Sequence, residues 1–564
     1  MSRMRKTTEQ TTAARRLHDD SGHGLDDART LSHVLAAAEP GQPRALGTLL
    51  SRLEAEGRLR ECRLDGVTVD SAAIAARLMT GIVDDSRQMR PGCLFAAVRG
   101  GHADGHDHVA AAIAAGAVGA IVETPVGRSG LQLLVDASPA ALASAACWWY
   151  GDPSRELAVV GITGTDGKTT TSFLAAAALE AAGLRTGLLG TVETRVGPVR
   201  ARTGAHVTTP GAIELQRTQR AMVESADDVA VLETTSHGLA AERVAGVAYD
   251  VAILTNLSHE HLEFHGSFEA YRAAKLRLFQ GLTAGWTDKP RPRPSLGIVN
   301  HDDRSAAPFE AAVRAAGGRL LTYGVDSRAD IRVTAIEEDI QYLRMTVAAP
   351  AWTGRVDLRL AGRFNVHNAL AVVALGVGWD LDLEAVVHGL AGVAGVPGRM
   401  ERIEVGQPFG VIVDYAHSPA ALRTVLDLLA PLATAGGGNL IAVFGSAGER
   451  DTAKRPMMGR IAGERCRLVV VTDEDPRGEN REAILAEIGA GAQAAGMQPS
   501  RNLLLIADRS AAIAAAFERA RPGDVVLLAG KGHEQSIIGP LGPTPWDERW
   551  SALAALSALG YAQD

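Results

Sequence analysis

Short, unbroken apolar runs recur along most of the chain, each closed by polar or Gly-rich residues and followed by an Ala-rich stretch whose apolar positions repeat with a helical period. Runs of this kind suit strands buried on both faces, and strands alternating with helices predict a mostly parallel sheet covered on both sides. From Arg44, a helix-like LGTLLSRLEAEGRL precedes strand-like LFAAV, helix-like HVAAAIAAGA and strand-like GAIVE at Gly119 to Glu123, which predicts a small α/β domain over residues 44–152. Near Pro153 a second region opens on LAVVGIT, a Gly-rich turn and the helix-like SFLAAAALEAAG. It continues through DVAVLET, DVAILTNL, the helical FEAYRAAKLRLF and LGIVN, and is read as residues 153–396. After Gly395-Val396-Pro397-Gly398-Arg399, strands at GVIVDYA, NLIAVFG, RLVVVTDE, NLLLIA and DVVLLAG alternate with helices, a doubly wound pattern over 397–564. Residues 1–43 are polar, charged and Ala/Gly-rich, end in Pro40-Gly41-Gln42-Pro43, and read as a disordered extension without chemistry. No short solenoid repeat is present.

Composition changes this picture little. A chain of 564 residues suits several domains, and 46% hydrophobic with 22% charged residues is ordinary for a soluble globular protein. A net charge of -8 without a sustained Lys/Arg block argues against nucleic acid as the main partner and points to small ligands. Cys62, Cys93, Cys147 and Cys466 are scattered without CxxC spacing, so neither zinc nor a disulfide framework is expected, and a reducing cytoplasm fits. The start MSRMRKTTEQTTAARR lacks the apolar run of a secretory signal, and no later segment reaches the length of about 18 apolar residues that a membrane span needs. A soluble, monomeric, cytoplasmic protein is expected.

The chemistry is carried by loops. Between LAVVGIT and the next helix stands Gly161-Ile162-Thr163-Gly164-Thr165-Asp166-Gly167-Lys168-Thr169-Thr170. Such a turn gathers backbone N–H groups and a helix N-terminus into an anion cradle, while Lys neutralises phosphates and a hydroxyl holds Mg2+. Ile162 stands where the usual GxxxxGK[ST] pattern has its first Gly, so this is a variant phosphate loop. Two more segments follow apolar runs: Leu232-Glu233-Thr234-Thr235-Ser236-His237-Gly238, and Thr255 to Gly266, with Asn256, Glu260, His261 and Glu263 among its polar residues. The carboxyl ends of strands line the ligand crevice of a doubly wound sheet, so both segments are placed to reach a nucleotide on the glycine loop. Taken singly, these are ordinary solvated loop residues; their coincidence on successive strands favours a site.

These segments belong to an ordered series: GITGTDGKTTT, Thr208-Thr209-Pro210, ETTSHGL, TNLSHEHLEFHG, YRAAKLRLF, GRFNVHNALA, VPGRME, DYAHSP, GSAGERDTAKRP, DEDPRGE and GKGHE. The series resembles that of the Mur ligases, from about residue 44 to the end. Within that family it is most similar to the members that add the third amino acid to a UDP-muramoyl peptide. The earlier DDSRQMRPGCLFAAVRGGHADGH looks like the segment that holds the uridine end of their substrate.

The resemblance implies an α/β architecture of three domains: a UDP-substrate domain, a central P-loop-like ATPase domain and a C-terminal Rossmann-like domain with the amino-acid site. It implies that ATP phosphorylates the D-Glu carboxylate of UDP-MurNAc-L-Ala-D-Glu and that the amine of a diamino acid attacks the acyl phosphate, in peptidoglycan synthesis. A carboxylate attacking a phosphate group meets like charge, so cations must be fixed between them. Lys168, His261 and Lys275 are the implied catalytic residues, with Mg2+ on Thr169, Glu233, His261 and Lys275, the last as a carbamate. Gly164, Thr165, Asp166, Gly167, Lys168, Thr169 and Thr170, with Asn256, Asn300, Asn365, Asn368, Arg399 and Asp414, are the implied ATP contacts. Ser86, His102, Thr208, Thr209, Thr235 and Arg243 are the implied contacts to the UDP-sugar. The chain departs from the family pattern at Asp166 (commonly Asn), Glu260 and Glu263 (commonly Asp), Val207 (commonly Asn) and Ala241 (commonly polar).

The amino acid is read by the C-terminal region. Family members specific for meso-diaminopimelate carry DNPR where this chain has Glu474-Asp475-Pro476-Arg477. Arg450 and Arg477 are available for a distal carboxylate, and Gly530 and Glu534 stand on matching motifs, which favours meso-diaminopimelate. The extra negative charge at 474 and 475 suits a plain terminal ammonium, so L-lysine or L-ornithine stays open. The rival readings are another Mur-like ligase of the folylpolyglutamate or cyanophycin type, against which the DSR, DEDPR and GKGHE segments speak, and a noncatalytic binder of the UDP-muramoyl peptide.

Overall fold

The computed structural model describes residues 23–100, 103–203, 207–258, 260, 262–282, 289, 293–338 and 342–561. The chain divides into two compact units: Met1–Thr334 with Val347–Gly354 and His367–Gly389, and Ala335–Thr346 with Arg355–Val366 and Leu390–Asp564.

The first unit opens on helix α1 (His23–Ala37), inside the stretch expected to be disordered. Leu31, Val34, Leu35 and Ala38 recur at helical spacing, and this stripe packs on the apolar core under the central sheet. The polar composition around the stripe conceals it in the sequence. Helix α2 (Leu46–Ala55) follows, burying Leu46, Leu49, Leu50 and Leu53. Six strands form the first sheet: β1 (Leu59–Leu64), β2 (Val67–Val69), β3 (Gly81–Val83), β4 (Cys93–Ala96), β5 (Gly119–Val122) and β6 (Leu131–Val135), in the order β2-β1-β6-β5-β4-β3. Helix α3 (Ser138–Trp149) packs against it with Ala141, Leu142, Ala145 and Trp149 buried.

The central sheet is built on β7 (Ala158–Thr163), every residue of which is buried. Helix α4 (Lys168–Ala181) leaves from its end, and β8 (Thr186–Leu189), β9 (Glu193–Val196), β10 (Val199–Arg202), helix α5 (Ala212–Glu224) and β11 (Val229–Glu233) follow. Then come β12 (Val251–Leu254), helix α6 (Phe268–Gln280), β13 (Leu296–Asn300), β14 (Arg319–Gly324), β15 (Ile331–Glu338), β16 (Leu343–Ala349) and β17 (Trp352–Leu358). The sheet order is β10-β9-β8-β11-β7-β12-β13-β14-β15-β16-β17, parallel from β8 to β15. The first strand in sequence thus lies between β11 and β12, so the crevice forms where the connections diverge. Gly161 lets α6 approach: a Cβ there would sit 2.9 Å from Leu278 and 2.6 Å from Tyr249. Helix α7 (Phe364–Gly378) spans the change from one unit to the other between Val366 and His367.

The second unit carries β18 (Glu401–Ile403), β19 (Gly410–Asp414), β20 (Leu440–Phe444), helix α8 (Lys454–Gly463), β21 (Leu468–Val471), helix α9 (Arg481–Ala494) and β22 (Leu503–Leu505). Helix α10 (Arg509–Glu518), β23 (Val525–Ala529), the hairpin β24 (Ser536–Gly539) and β25 (Gly542–Pro545), and helix α11 (Glu548–Ala558) complete it. The sheet runs β18-β19-β23-β20-β21-β22, parallel except at β18. The doubly wound pattern expected of this region is what the apolar strands form. The hairpin was not foreseen, because its strands are short and partly exposed, and the second carries two prolines.

Candidate active site

Strands β11, β7 and β12 are in register at their carboxyl ends, with Glu233 opposite Ile162 and Leu254 opposite Thr163. The loops that follow therefore emerge on one edge. After β7, Gly164 has φ 151° and Gly167 φ 82°. A Cβ on Gly164 would lie 1.8 Å from Thr255 Oγ1, and one on Gly167 2.4 Å from Asn368 Oδ1, so glycine is demanded at both places by conformation and space. Asn256 holds the loop from the neighbouring strand: its backbone oxygen accepts from Thr165 N at 2.8 Å and its side-chain oxygen from Asp166 N at 2.9 Å. Thr165 Oγ1 lies 2.9 Å from Tyr271 O–H and accepts from Ser258 N. Lys168 folds over the turn, donating to Gly164 O at 2.9 Å and Thr165 O at 2.8 Å.

Glu233, only 2% exposed, is the hub of the site. Its carboxylate accepts from Thr169 Oγ1 at 3.0 Å, from Thr191 N at 3.0 Å and from Thr191 Oγ1 at 2.8 Å. Thr191 also meets Thr208 at 2.9 Å, while Thr209 donates to the Glu233 backbone oxygen and meets Thr235 at 3.0 Å. Arg243 donates to Thr209 O at 2.9 Å. Thr208, Thr209, Thr235 and Arg243 are thus brought to the Glu233 side of the glycine loop. Thr170 is buried in the first turn of α4.

Lys275 enters from α6, 2% exposed, and donates to Gly164 O at 2.6 Å. Burial first, and the Lys168 charge second, push its amine well below the usual lysine range, with Glu260 and Asp166 opposing. Burial thus favours the neutral, nucleophilic form of this amine. Asn300 donates to Thr255 O at 2.7 Å, and Asn368 accepts from Thr171 Oγ1 at 3.2 Å. Asn365, in the first turn of α7, donates to Ala361 O at 2.7 Å. Ser86 opens the short turn Ser86–Gln88 capped by Asp85. His261 and His102 lie outside the described residues, as does the Glu263 side chain.

In the second unit Asp414, Glu474, Asp475, Arg477, Gly530 and Glu534 stand at or just beyond the carboxyl ends of β19, β21 and β23. Glu474 is buried, its Oε2 has no hydrogen-bond partner, and burial above all pushes its carboxyl up to about 7. Asp475 behaves differently: its Oδ1 accepts from Lys531 Nζ at 2.8 Å and from Ile538 N at 2.9 Å. Its charge is therefore matched inside the protein by a fully buried lysine. The extra negative charge expected here, which Asp475 brings where the family has Asn, is thus paired with Lys531 rather than open to the pocket. Lys531 also pairs with Glu534 at 2.5 Å, and Tyr415 O–H donates to Glu534 Oε1 at 3.1 Å. A Cβ on Gly530, φ 100°, would sit 3.4 Å from Glu474.

Arg477 adopts φ 54°, a strained conformation for a residue other than Gly, fixed by its N–H donating to Ile538 O at 2.8 Å. Its Nε is buried without a partner. The Arg399 guanidinium stacks 4.5 Å over Tyr415, and the Asp414 carboxylate accepts from Met400 N and Ala416 N. Arg450 is exposed on its loop, apart from this network of bonds. Thr191, Tyr271, Tyr415 and Lys531 are site residues that the sequence reading passed over. Lys531 and Tyr415 stood inside quoted motifs; Thr191 had only its place after an apolar run as a signal.

The donor set fits the groups expected. The open N–H groups of the α4 N-terminus and Lys168 suit phosphates. Thr169 and Glu233 offer oxygen ligands of the kind Mg2+ takes beside phosphate oxygens, and among the described residues no larger His/Cys/Asp/Glu cage competes. A phosphate loop beside a buried acid, and a Rossmann-like unit whose loops carry an open carboxylate and an arginine on strained backbone, suit an ATP-dependent ligase that forms amide bonds.

Comparisons with known proteins agree. Residues 79–135 match the Mur ligase family catalytic domain, 162–376 the Mur ligase middle domain, and 398–532 the Mur ligase glutamate ligase domain. The chain is 47% identical over 490 residues to the UDP-N-acetylmuramyl-tripeptide synthetase of Roseiflexus sp. (strain RS-1), covering 86% of this chain and 95% of that protein. It is 39% identical over 494 residues to the UDP-N-acetylmuramoyl-L-alanyl-D-glutamate--2,6-diaminopimelate ligase of Geobacter metallireducens, covering 85% and 94%. A solved structure of a ligase with the latter name aligns with TM-score 0.60 at 29% identity, covering 87% of this chain and 97% of that one. The chain belongs to the Mur ligase family.

Proposed function

We propose that this protein joins meso-2,6-diaminopimelate to UDP-MurNAc-L-Ala-D-Glu at the expense of ATP, as a cytoplasmic step of peptidoglycan synthesis. Residues 44–152 are assigned to the UDP end of the substrate, 153–396 to ATP and 397–564 to the amino acid. The observation that carries the reading is the loop Glu474–Arg477, where a buried carboxylate oxygen and a buried guanidinium N–H both lack partners. An amino acid that brings both an ammonium and a distal carboxylate satisfies the two at once. The Geobacter relative, named for 2,6-diaminopimelate, supports the choice.

In this mechanism Lys168 and the α4 N–H groups hold and neutralise the phosphates, while Asn256, Asn300 and Asn368 fix the glycine loop and the strand ends beside it. Thr169 and Glu233 would hold Mg2+, which supplies positive charge against the phosphate oxygens when bound. The γ-phosphoryl passes to the D-Glu carboxylate, and the amine displaces phosphate from the acyl phosphate. Lys275 in its neutral form is the nucleophile that CO2 carbamylation requires. A second reading, with L-lysine or L-ornithine as substrate, draws on Glu474 alone, whose open oxygen suits a plain ammonium.

A phosphate-release assay with ATP, Mg2+, UDP-MurNAc-L-Ala-D-Glu and a panel of diaminopimelate, lysine and ornithine decides between them. Turnover highest with diaminopimelate is expected. Preference for lysine or ornithine transfers the assignment to the second reading, and no phosphate release with any of the three overturns both.

A further inference from the structure

Two loops carry the pocket of the second unit, one beginning at Asp473 after β21 and the other at Gly530 after β23, and a single buried side chain is bonded at the root of both. Arg509, the first residue of α10, is fully buried. Its Nη1 donates to Asp473 O at 2.9 Å and its Nη2 to Ala529 O at 2.8 Å, the carbonyls that immediately precede Glu474 and Gly530. The charge is met by the equally buried Glu548, with Nε to Oε2 at 2.9 Å and Nη2 to Oε1 at 2.6 Å, and Trp546 Nε1 donates to the same carboxylate at 2.7 Å. A buried ion pair is poor evidence of stabilisation, since apolar residues of similar volume often fill such a place as well. What apolar residues cannot supply is a planar fork that donates to two loops at fixed separation.

An open cleft of about 490 Å3 lies beside the first of these loops, lined by Asp473, Pro476, Arg481, Arg509, Ile537 and Trp546.

We infer that Arg509, held by Glu548 and Trp546, is a positioning residue of the amino-acid site, fixing the Glu474–Arg477 and Gly530–Glu534 loops in one arrangement. The inference rests on the assignment of this pocket to the amino acid. Its test is steady-state kinetics on the full-length enzyme, with each substrate varied in turn and the amino acid being whichever the wild type turns over. Arg509→Lys keeps the charge pair with Glu548 but offers one nitrogen where the fork spans two carbonyls. It should raise KM for the amino acid about tenfold or more while KM for ATP and for the UDP-dipeptide stays within about twofold. The paired replacement Arg509→Met with Glu548→Met, which removes both charges together, should remain folded and show the same selective rise. Glu548→Gln, which leaves both bonds from Arg509 to the carbonyls available, should shift that KM far less than either. A folded Arg509→Lys enzyme with unchanged KM for the amino acid, or with all three KM values rising together, overturns the inference. If the paired variant does not fold, the Arg509→Lys result stands as the decision. Failure of the underlying assignment shows separately, as a wild type that releases no phosphate with any diamino acid.

Discussion

Single side chains in this site are defined by what burial does to their charge. Lys168 stands at a helix N-terminus with its ammonium on two loop carbonyls, a place where phosphate oxygens are the natural exchange partners. Lys168→Ala should stay folded by circular dichroism yet lose about a hundredfold or more in rate, the scale of losing one preorganised charge donor; an unchanged rate removes the phosphate assignment. Lys275 is the opposite case, a lysine whose burial and whose neighbour Lys168 favour the neutral amine. Carbamylation should be detected by mass spectrometry under bicarbonate, and Lys275→Ala should regain part of its activity with a small carboxylic acid; an unmodified amine and no rescue sink the idea. For Glu474 the sign runs the other way. Its carboxyl is raised from 4.5 to about 7, so the folded protein holds a proton that the unfolded chain has released across that window, and this group's contribution to stability declines as pH rises through it. The negative charge that attracts an ammonium appears in the folded protein only around the upper end of that window. KM for the diamino acid should therefore fall as pH rises through about 7 in the wild type and lose that dependence in Glu474→Gln.

At the scale of elements, α1 has the clearest consequence. Its side chains Leu31, Val34 and Leu35 lie partly buried on the central core and Ala38 is fully covered, while Glu39 accepts from Tyr150 O–H at 2.9 Å. Partial burial of three large apolar side chains is worth about 2–5 kcal/mol, so a chain beginning at Pro43 should unfold at a distinctly lower temperature in calorimetry; an unchanged Tm would show that the helix adds no net stability. That helix was hidden from sequence reading because its apolar stripe is narrow and set in polar surroundings. The strands of the parallel sheets were legible for the opposite reason: β7, β11, β12, β20 and β23 are buried throughout, which forces unbroken apolar runs. The glycine loop was equally legible, because Gly164 and Gly167 are demanded by backbone conformation and Lys168 and Thr169 by chemistry. The bonds that complete the site were not. Thr191 reaches Glu233 across 42 positions and Lys531 reaches Asp475 across 56, and no local pattern marks such pairs. The pairing of Asp475 with Lys531 also changes a conclusion about specificity, since a charge that looks free in sequence is neutralised in the fold.

The glycine loop and the Glu474–Arg477 loop, to which the proposed function assigns phosphate and amino acid, stand on separate sheets, each with a core of its own. Damage to one should then leave binding at the other intact, and Arg477 is the residue on which to test it. Its backbone is held at φ 54° by the bond to Ile538, and its Nε is buried without an acceptor. In the proposed reading diaminopimelate would offer a distal carboxylate to that guanidinium, whereas lysine and ornithine would leave its Nε buried and unpaired, a penalty larger than the mere absence of a contact. Arg450 is exposed, so the proposed reading places the discrimination mainly on Arg477. Arg477→Ala should lower kcat/KM for diaminopimelate by about 2–4 kcal/mol in transition-state terms and change the value for lysine far less. KM for ATP should stay where it is, because the glycine loop, Glu233 and Lys168 are anchored in the other unit. Steady-state kinetics with both amino acids on wild type and variant measures all of these. A loss equal for the two amino acids would show that Arg477 grips a group they share, and a parallel rise in KM for ATP would show that the two sites are not independent.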